Sequence, residues 1–597
     1  MTIPIRSDGS KYDIPFLRID QKNVLAVVLQ SLYKWLQCTD FSPLRLTVSG
    51  VAGSGKSTLI QTTVTIVRQM FQRNDVIQVC APTGSAAFSA GGETIHRLFG
   101  VRVHQPKLLL NSTSREKLQS KFANLLVLII DERSMLSSEL FGIMEAYANQ
   151  AAHNGMNPSK PWGAIPIIIL VGDDYQLPPI HKGAFDALGD IQQTIDQLNH
   201  IHRPTTNQLI ARGHVQFRVF AQQVMFLQSS QRVLPGQERL AQLLQGVRSE
   251  SDASLSSTDI DFLATNFHLM NPHFSDEDRK SICKDALFLF ANKKPKRLLN
   301  EQKLIESHSE KHPVARIKSK TLSAKRRIVA NNHHYDNEST PASTSICVGA
   351  TVALTGTNIC PEWGLFNGSI GTVIDIIFCP HTSPNNNDLP AYILVDFALY
   401  RGPSIDPENP TYVPIVPITA YCNKQDCSCN RTFIPLKLAF AKTCHTFQGQ
   451  SAGPVAPGQP PNPIKRIICD PGTKKFEGQN IGLFYTILSR VTSLGQCTHD
   501  TPISQRYKDS AIYFIGSNMN RSRITNLTRQ ANGQLFQNII RRQRWVNHLR
   551  DNEISFNIQP HEIEFLFHWA TNARISYQFL RYAIHHHSRS NSSNITE

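Results

Sequence analysis

Leu44-Arg45-Leu46-Thr47-Val48-Ser49-Gly50-Val51-Ala52-Gly53-Ser54-Gly55-Lys56-Ser57-Thr58 is the stretch on which the reading of this sequence turns. Its first six residues alternate and are β-prone, which predicts a buried strand. Gly50, Gly55, Lys56 and Ser57 then fill every fixed position of G-x-x-x-x-G-K-[ST], with Gly53 inside the loop. A helical pattern follows from Ser57 to about Arg73. Strand, glycine loop, helix is the context in which this pattern cradles phosphate. The glycines let backbone N–H groups turn inward, and the helix N-terminus adds favourable partial charge. The predicted nucleotide-binding set is Gly50, Gly53, Ser54, Gly55, Lys56, Ser57 and Thr58, with Lys56 toward the β- and γ-phosphates and the Ser57 hydroxyl toward Mg²⁺. The competing reading, a flexible glycine turn, is disfavoured by the flanking strand and helix.

Working outward, 597 residues exceed what one core serves and predict about two to four domains. A net charge of +15 favours a polyanionic partner, nucleic acid ahead of anionic membrane. No apolar run reaches the ~20 residues of a spanning helix, and Met1 to Ile19 has neither a secretory nor an Arg-rich amphipathic leader pattern. Twelve cysteines without framework spacing predict free thiols in a reducing, intracellular compartment, the nucleus ahead of the mitochondrion. Cys422, Cys427 and Cys429 form C-x₄-C-x-C, which departs from zinc spacing and lacks a clear fourth ligand.

Residues 1–20 read as a loose lead-in, and Ile19 to Leu36 as a helix with Gln21 at its start. Gln21 is placed either to meet an adenine edge or as an ordinary surface residue. Val76 to Ala81 is a strand running into Pro82-Thr83-Gly84-Ser85-Ala86-Ala87, the carboxyl edge at which open α/β sheets bind ligands. His96, in Gly91-Gly92-Glu93-Thr94-Ile95-His96, either touches nucleic acid or caps a helix. The apolar strand Leu125 to Ile130 ends in Asp131-Glu132. Downstream of a phosphate loop, Asp131 is placed to hold Mg²⁺ directly or through water, and Glu132 to orient and deprotonate an attacking water. The alternative is an acidic helix cap. After a helix from Ser138 to about His153, Ile165 to Val171 is a further buried strand ending in Gly172-Asp173-Asp174-Tyr175-Gln176-Leu177-Pro178-Pro179. Four parallel-type strands separated by helices predict a RecA-like α/β lobe.

The order of these segments resembles the superfamily-one DNA helicases, in particular the Pif-type branch related to RecD. The resemblance covers residues 19–520 and implies two RecA-like lobes binding ATP and Mg²⁺ between them. It makes Gln176 the γ-phosphate sensor and extends to Leu227-Gln228-Ser229-Ser230-Gln231-Arg232, where Arg232 contacts the γ-phosphate from the second lobe. Gly482-Leu483-Phe484-Tyr485-Thr486-Ile487-Leu488-Ser489-Arg490 resembles the segment whose last residue is the arginine finger. Thr443-Cys444-His445-Thr446-Phe447-Gln448-Gly449 resembles Thr-Ile-His-Lys-Ser-Gln-Gly, departing at Cys444, Thr446 and Phe447, and Thr446 in place of the usual lysine leaves one phosphate contact open. Lys56, Asp131, Glu132, Gln176, Arg232 and Arg490 are thus the implied catalytic set, Ser57 and Asp131 the metal ligands, and Thr83, Gly84, His96, Asn367, Thr443, His445 and Gln448 the DNA contacts.

From Val348 the pattern changes to short strands and turns, with Asn367-Gly368 as a hairpin signal. This predicts a small β-barrel inserted in the second lobe, which the resemblance places over the translocating strand. The expected layout is 21–195 for the first lobe, 196–345 and 435–530 for the second, 346–434 for the insertion, and 531–597 for a basic helical extension with a disordered tail containing His585-His586-His587. Residues 311–327, with seven Lys or Arg and no acid, read as an exposed linker. The functional expectation is ATP-dependent translocation on single-stranded DNA, 5′-to-3′ by resemblance, with duplex unwinding at junctions in genome maintenance by a monomer without membrane association. The alternatives are a DNA-binding ATP switch that does not unwind, and the helicase module of a mobile element.

Overall fold

The computed structural model describes residues 17–38, 41–101, 108–152, 160–179, 182–189, 204–230, 232–248, 257–308, 312–322, 339–421, 429–455, 462–472, 480–495, 507–515 and 534–589. The phosphate-loop strand lies inside a six-stranded sheet. Its strands are β1 (Leu44–Gly50), β2 (Ile77–Ala81), β3 (Glu93–Thr94), β4 (Val127–Ile130), β5 (Ile167–Gly172) and β6 (Val224–Leu227), in spatial order β3-β2-β4-β5-β1-β6. Every pairing is parallel. A parallel sheet must be covered on both faces, which is why β4 and β5 are continuous apolar runs, wholly buried. One face carries α1 (Ile19–Leu36) and α2 (Lys56–Phe71), the other α6 (Ser138–Gln150) and the helix Pro204–Phe220.

β6 corrects the expected boundary at residue 196. It pairs in parallel with β1, from Thr47↔Val224 to Gly50↔Leu227, so the first sheet extends through Leu227. An apolar strand leaving a helix that already packs on this sheet finds its unpaired edge beside β1.

The second lobe holds a four-stranded parallel sheet, ordered Ala441–Thr443, Ala286–Phe290, Arg466–Asp470, Ile512–Phe514. Two parallel sheets with flanking helices are the expected α/β class of paired RecA-like lobes. The residues from Leu436 to Thr443 carry two strands: Leu436–Leu438 pairs with the insertion and Ala441–Thr443 with the second lobe.

The insertion is antiparallel: Tyr412–Ile415, Tyr392–Asp396, Ile370–Ile377, Thr351–Leu354 and Leu436–Leu438 form one sheet in that order. The described pairings make an open row with two edges and do not by themselves close the expected barrel. Small sheets flank it, and they take up Ala315–Lys318 and Lys320–Leu322 from the segment read as an exposed linker. Lys325 to Arg327, Cys422, Cys427 and residues 456–461 lie outside the described residues.

The extension after residue 534 is also folded. Helices Gln534–Asp551, Pro560–Asn572 and Tyr577–Arg589 pack on the first lobe. His587, read as tail, stacks on Trp35 at 5.1 Å between centroids and hydrogen-bonds its carbonyl at 2.8 Å. Leu580, Ala583 and Ile584 bury the other side of this turn against α1 and α2. Among the described residues no helix is long and apolar enough to cross a membrane, and no cluster of His, Cys, Asp or Glu could hold a metal.

Candidate functional site

Two clefts open at the carboxyl ends of the sheets. The first, 340 Å³, lies where β1 meets α2. Gly53 and Gly55 adopt left-handed φ of 79° and 76°, which turns the loop's N–H groups toward the cleft. Gly53 is further required by crowding, since a Cβ there would lie 2.5 Å from the Arg232 Cβ and 2.7 Å from the Ser230 hydroxyl. Of the residues singled out, Gly53, Gly55, Lys56, Ser57, Thr58, Asp131, Glu132, Gln176, Arg232 and Arg490 line this one cleft.

Gly50, Ser54 and Gln21 stand behind it. The Gly50 carbonyl accepts from the Lys56 ammonium at 2.9 Å, beside Val51 at 3.0 Å. Gln21 is buried, and its amide donates to the Gly55 carbonyl at 3.0 Å while its oxygen accepts from Arg18 N. Its role in this structure is to brace the loop at the start of α1.

Asp131 and Glu132 are both buried at the end of β4. Burial, then the Glu132 charge, pushes the Asp131 carboxyl up to about 7. Glu132 itself holds φ 52°, a left-handed conformation rare for a residue with a side chain and one that persists only where its surroundings impose it. The second lobe meets its side chain: Arg490 donates to Glu132 at 3.2 Å and to the Gln176 amide oxygen. Arg232 also reaches the cleft, but from the end of β6 in the first sheet rather than from the second lobe. Its guanidinium donates to the Ser489 carbonyl at 2.7 Å. Burial, reinforced by Arg490, lowers it to about 10, and burial lowers Lys56 as well.

Concentrated, desolvated cations around a glycine loop are the complement of a polyphosphate. One polar atom of the lining agrees with that fit: the buried Arg490 Nε has no partner within the protein. Ser57 and Asp131 face the same cleft and are hard oxygen donors of the kind Mg²⁺ accepts.

The second cleft, 420 Å³, lies between the first lobe, the insertion and the strand Ala441–Thr443. All seven residues expected to meet DNA line it: Thr83, Gly84, His96, Asn367, Thr443, His445 and Gln448. Lys296, Lys437 and Lys442 join them, and no carboxylate lines this cleft. His96 and His445 are both lowered by burial, His445 with a 3.1 Å contact to Asn480.

Gln448 connects the clefts. Its carbonyl accepts from Ser85 at 3.2 Å, and its amide lies 3.4 Å from Ser134 and Gln176 and 3.5 Å from Glu132. Sequence reading missed Tyr485, whose hydroxyl donates to Asp173 at 2.7 Å across the lobes. It also missed the buried Arg133–Asp174 pair. The carboxylates sat in plain view in Gly-Asp-Asp, but their partners are distant in sequence.

Residues 16–195 match the family model described as PIF1-like helicase. The ATP-dependent DNA helicase PIF1 of Emericella nidulans is 33% identical over 139 residues, 23% of this chain and 18% of that protein. The Homo sapiens PIF1 is 35% identical over 138 residues, 23% of this chain and 20% of its own length. PIF7 of Trypanosoma brucei brucei is 25% identical over 440 residues, 68% of this chain and 40% of that protein. The chain therefore spans less than half the length of these curated relatives. Its fold is that of the Candida albicans Pif1 helicase crystal structure, with a TM-score of 0.55 at 20% identity over 89% of this chain and 99% of that one. Bacteroides Pif1 bound to ssDNA aligns with a TM-score of 0.52 at 18% identity over 84% and 92% of the two chains. Sequence in the first lobe is thus similar to the PIF1-like helicases over residues 16–195, and the fold across both lobes is similar to that of the solved Pif1 helicases.

Proposed function

We propose that this chain hydrolyses ATP to translocate along single-stranded DNA and unwind duplex. The observation that carries the reading is Gln448. It lines the lysine-bearing cleft while its amide sits among Glu132, Ser134 and Gln176 at the phosphate-loop cleft. The loop N–H groups and Lys56 take the phosphates, Glu132 draws the proton from the attacking water, and Arg232 with Arg490 offsets the charge that develops on the transferred group. When bound by Ser57 and Asp131, Mg²⁺ neutralises phosphate charge. The cleft residues Thr83, Thr443 and the lysines hold backbone phosphates without reading sequence. A neighbouring structure with ssDNA supports this substrate, as do curated relatives named ATP-dependent DNA helicases. The 5′-to-3′ direction and a role in genome maintenance come from the resemblance, and with action as a monomer they belong to the same proposal.

The test is steady-state ATP hydrolysis with and without an oligo-dT strand, with Lys56→Ala as control. Stimulation by DNA, and loss of turnover to below about a hundredth in the variant, is the expected result. Turnover retained in Lys56→Ala would remove the site assignment, and hydrolysis indifferent to DNA would remove the motor.

A further inference from the structure

The resemblance ends near residue 520, yet the helix Gln534–Asp551 reaches the segment that carries Gln176. Trp545 is fully buried, and its indole N–H donates to the Asp174 carboxylate at 3.2 Å. Asp174 also pairs with Arg133 and accepts from the Ser49 hydroxyl at 3.4 Å. Arg133 in turn donates to the Val48 carbonyl at 3.3 Å. One carboxylate thus gathers the end of β1, the turn after Asp131-Glu132 and the helix Gln534–Asp551. The need is mutual: a buried carboxylate requires donors for its remaining lone pairs, and a buried indole must place its single N–H.

The next residue, Tyr175, is held by cations from two directions in the chain. Arg248 lies 4.4 Å and Arg542 5.1 Å from its ring centroid, and Arg550 donates to its hydroxyl at 3.5 Å. Trp545 belongs to an apolar cluster of the first lobe, whereas Val546 belongs to the cluster built around the second sheet. Consecutive residues of the helix thus enter two apolar clusters, the second of which also takes in Tyr175 and Leu177 on either side of Gln176.

We propose that the helix Gln534–Asp551 is a positioning element of the ATPase centre: Trp545 on Asp174 and Arg542 on Tyr175 keep Gln176 in register with Glu132 and Arg490 while the second lobe responds to DNA. The inference rests on the ATP–DNA reading above. A helix that only filled space would affect stability. This one fixes the residue next to the γ-phosphate sensor, so its loss falls on the DNA-stimulated step.

The test uses the full chain with Trp545→Phe, which deletes the N–H and keeps an aromatic ring. ATP hydrolysis is followed with and without oligo-dT. DNA-stimulated kcat is expected to fall about tenfold, as small misplacements remote from the chemistry do, while KM for ATP and the DNA-free rate stay within about twofold. Arg542→Gln is expected to show the same split and Arg542→Lys to restore stimulation, which keeps the question answerable if Trp545→Phe fails to fold. A parallel loss of both rates with a lowered melting temperature would overturn the proposal in favour of packing alone. So would wild-type stimulation in Trp545→Phe and Arg542→Gln. A wild-type chain that DNA does not stimulate would instead overturn the functional reading itself.

Discussion

Thr446 stands where the resemblance implies lysine, and its hydroxyl is engaged locally by the Thr443 carbonyl at 2.8 Å. Lys442, on the preceding strand, brings an ammonium into the same cleft instead, 2.8 Å from the Gly368 carbonyl. Burial, then the Lys437 charge, lowers it to about 7. Both causes disfavour the charged form, whereas a DNA phosphate favours it. Binding then draws a proton onto Lys442, and affinity must fall as pH rises above 7. We expect the affinity for oligo-dT to weaken about tenfold between pH 7 and pH 8.5. Lys442→Arg, cationic throughout, should flatten that profile. Burial lowers His96 and His445, the other titrating groups facing the cleft with known shifts, so both are neutral across this window. Lys442→Met should reduce the salt slope by about 0.7. An affinity that ignores pH in the wild type, measured by fluorescence anisotropy, would end this account. The contrast with Lys56 shows what a sequence reveals at this scale. Lys56 is legible because its chemistry is written in adjacent glycines, while the environment of Lys442 is made by Gly368 and Lys437, which no local pattern announces.

Elements were legible where periodicity had one partner to satisfy. β1, β2, β4 and β5 lie within about two residues of their expected ends, because continuous apolar runs bounded by glycine or acids admit no other packing in a parallel sheet. The failures share one cause, which is competition for an edge. β6 is apolar enough for either lobe and pairs with β1. The residues from Leu436 to Thr443 divide between the insertion and the second sheet. His585 to His587 looked like a tail because they run into a Ser- and Asn-rich end, but the helix Tyr577–Arg589 that carries them packs Leu580, Ala583 and Ile584 into the cluster of α1 and α2. Glycines at a helix crossing are a further signal left unread. A Cβ at Gly142 in α6 would fall 2.0 Å from the Leu209 carbonyl, and one at Gly213 1.8 Å from the Ser138 carbonyl. The two helices touch backbone to backbone, so no flexible side chain can yield. Gly213→Val should cost about 3 kcal/mol through overpacking, read as a lower urea midpoint with unchanged m-value. A midpoint equal to the wild type would show that the crossing relaxes.

The whole molecule is a set of bridges converging on the carboxyl edge of the first sheet, after β4, β5 and β6. Tyr485 reaches Asp173, Thr486 accepts from Leu177 N at 2.9 Å, Arg232 reaches Ser489, and Arg490 reaches Glu132 and Gln176. The insertion is tied to the first lobe separately, through Phe366 against Phe88 at 5.4 Å and Arg401 over the Phe88 ring at 4.1 Å. Only part of this was written in the motifs, since a motif names the residue and not the partner across the lobes. Gln448 tests whether the bridges act as one machine. Its three amide contacts, at 3.4 to 3.5 Å, are long for hydrogen bonds and individually weak. Gln448→Ala should therefore leave folding and the DNA-free hydrolysis rate within about twofold. Its carbonyl bond to Ser85 survives the substitution, so the wall of the lysine cleft stays in place and oligo-dT affinity should change little. What the variant removes is a side chain that lines the lysine cleft and approaches Glu132 and Gln176. The expected result is an ATPase that binds DNA but is no longer accelerated by it, and that fails to separate a tailed duplex. If Gln448→Ala is stimulated and unwinds like the wild type, coupling runs instead through the strap of Tyr485, Arg232 and Arg490, and those bridges become the place to look for the step.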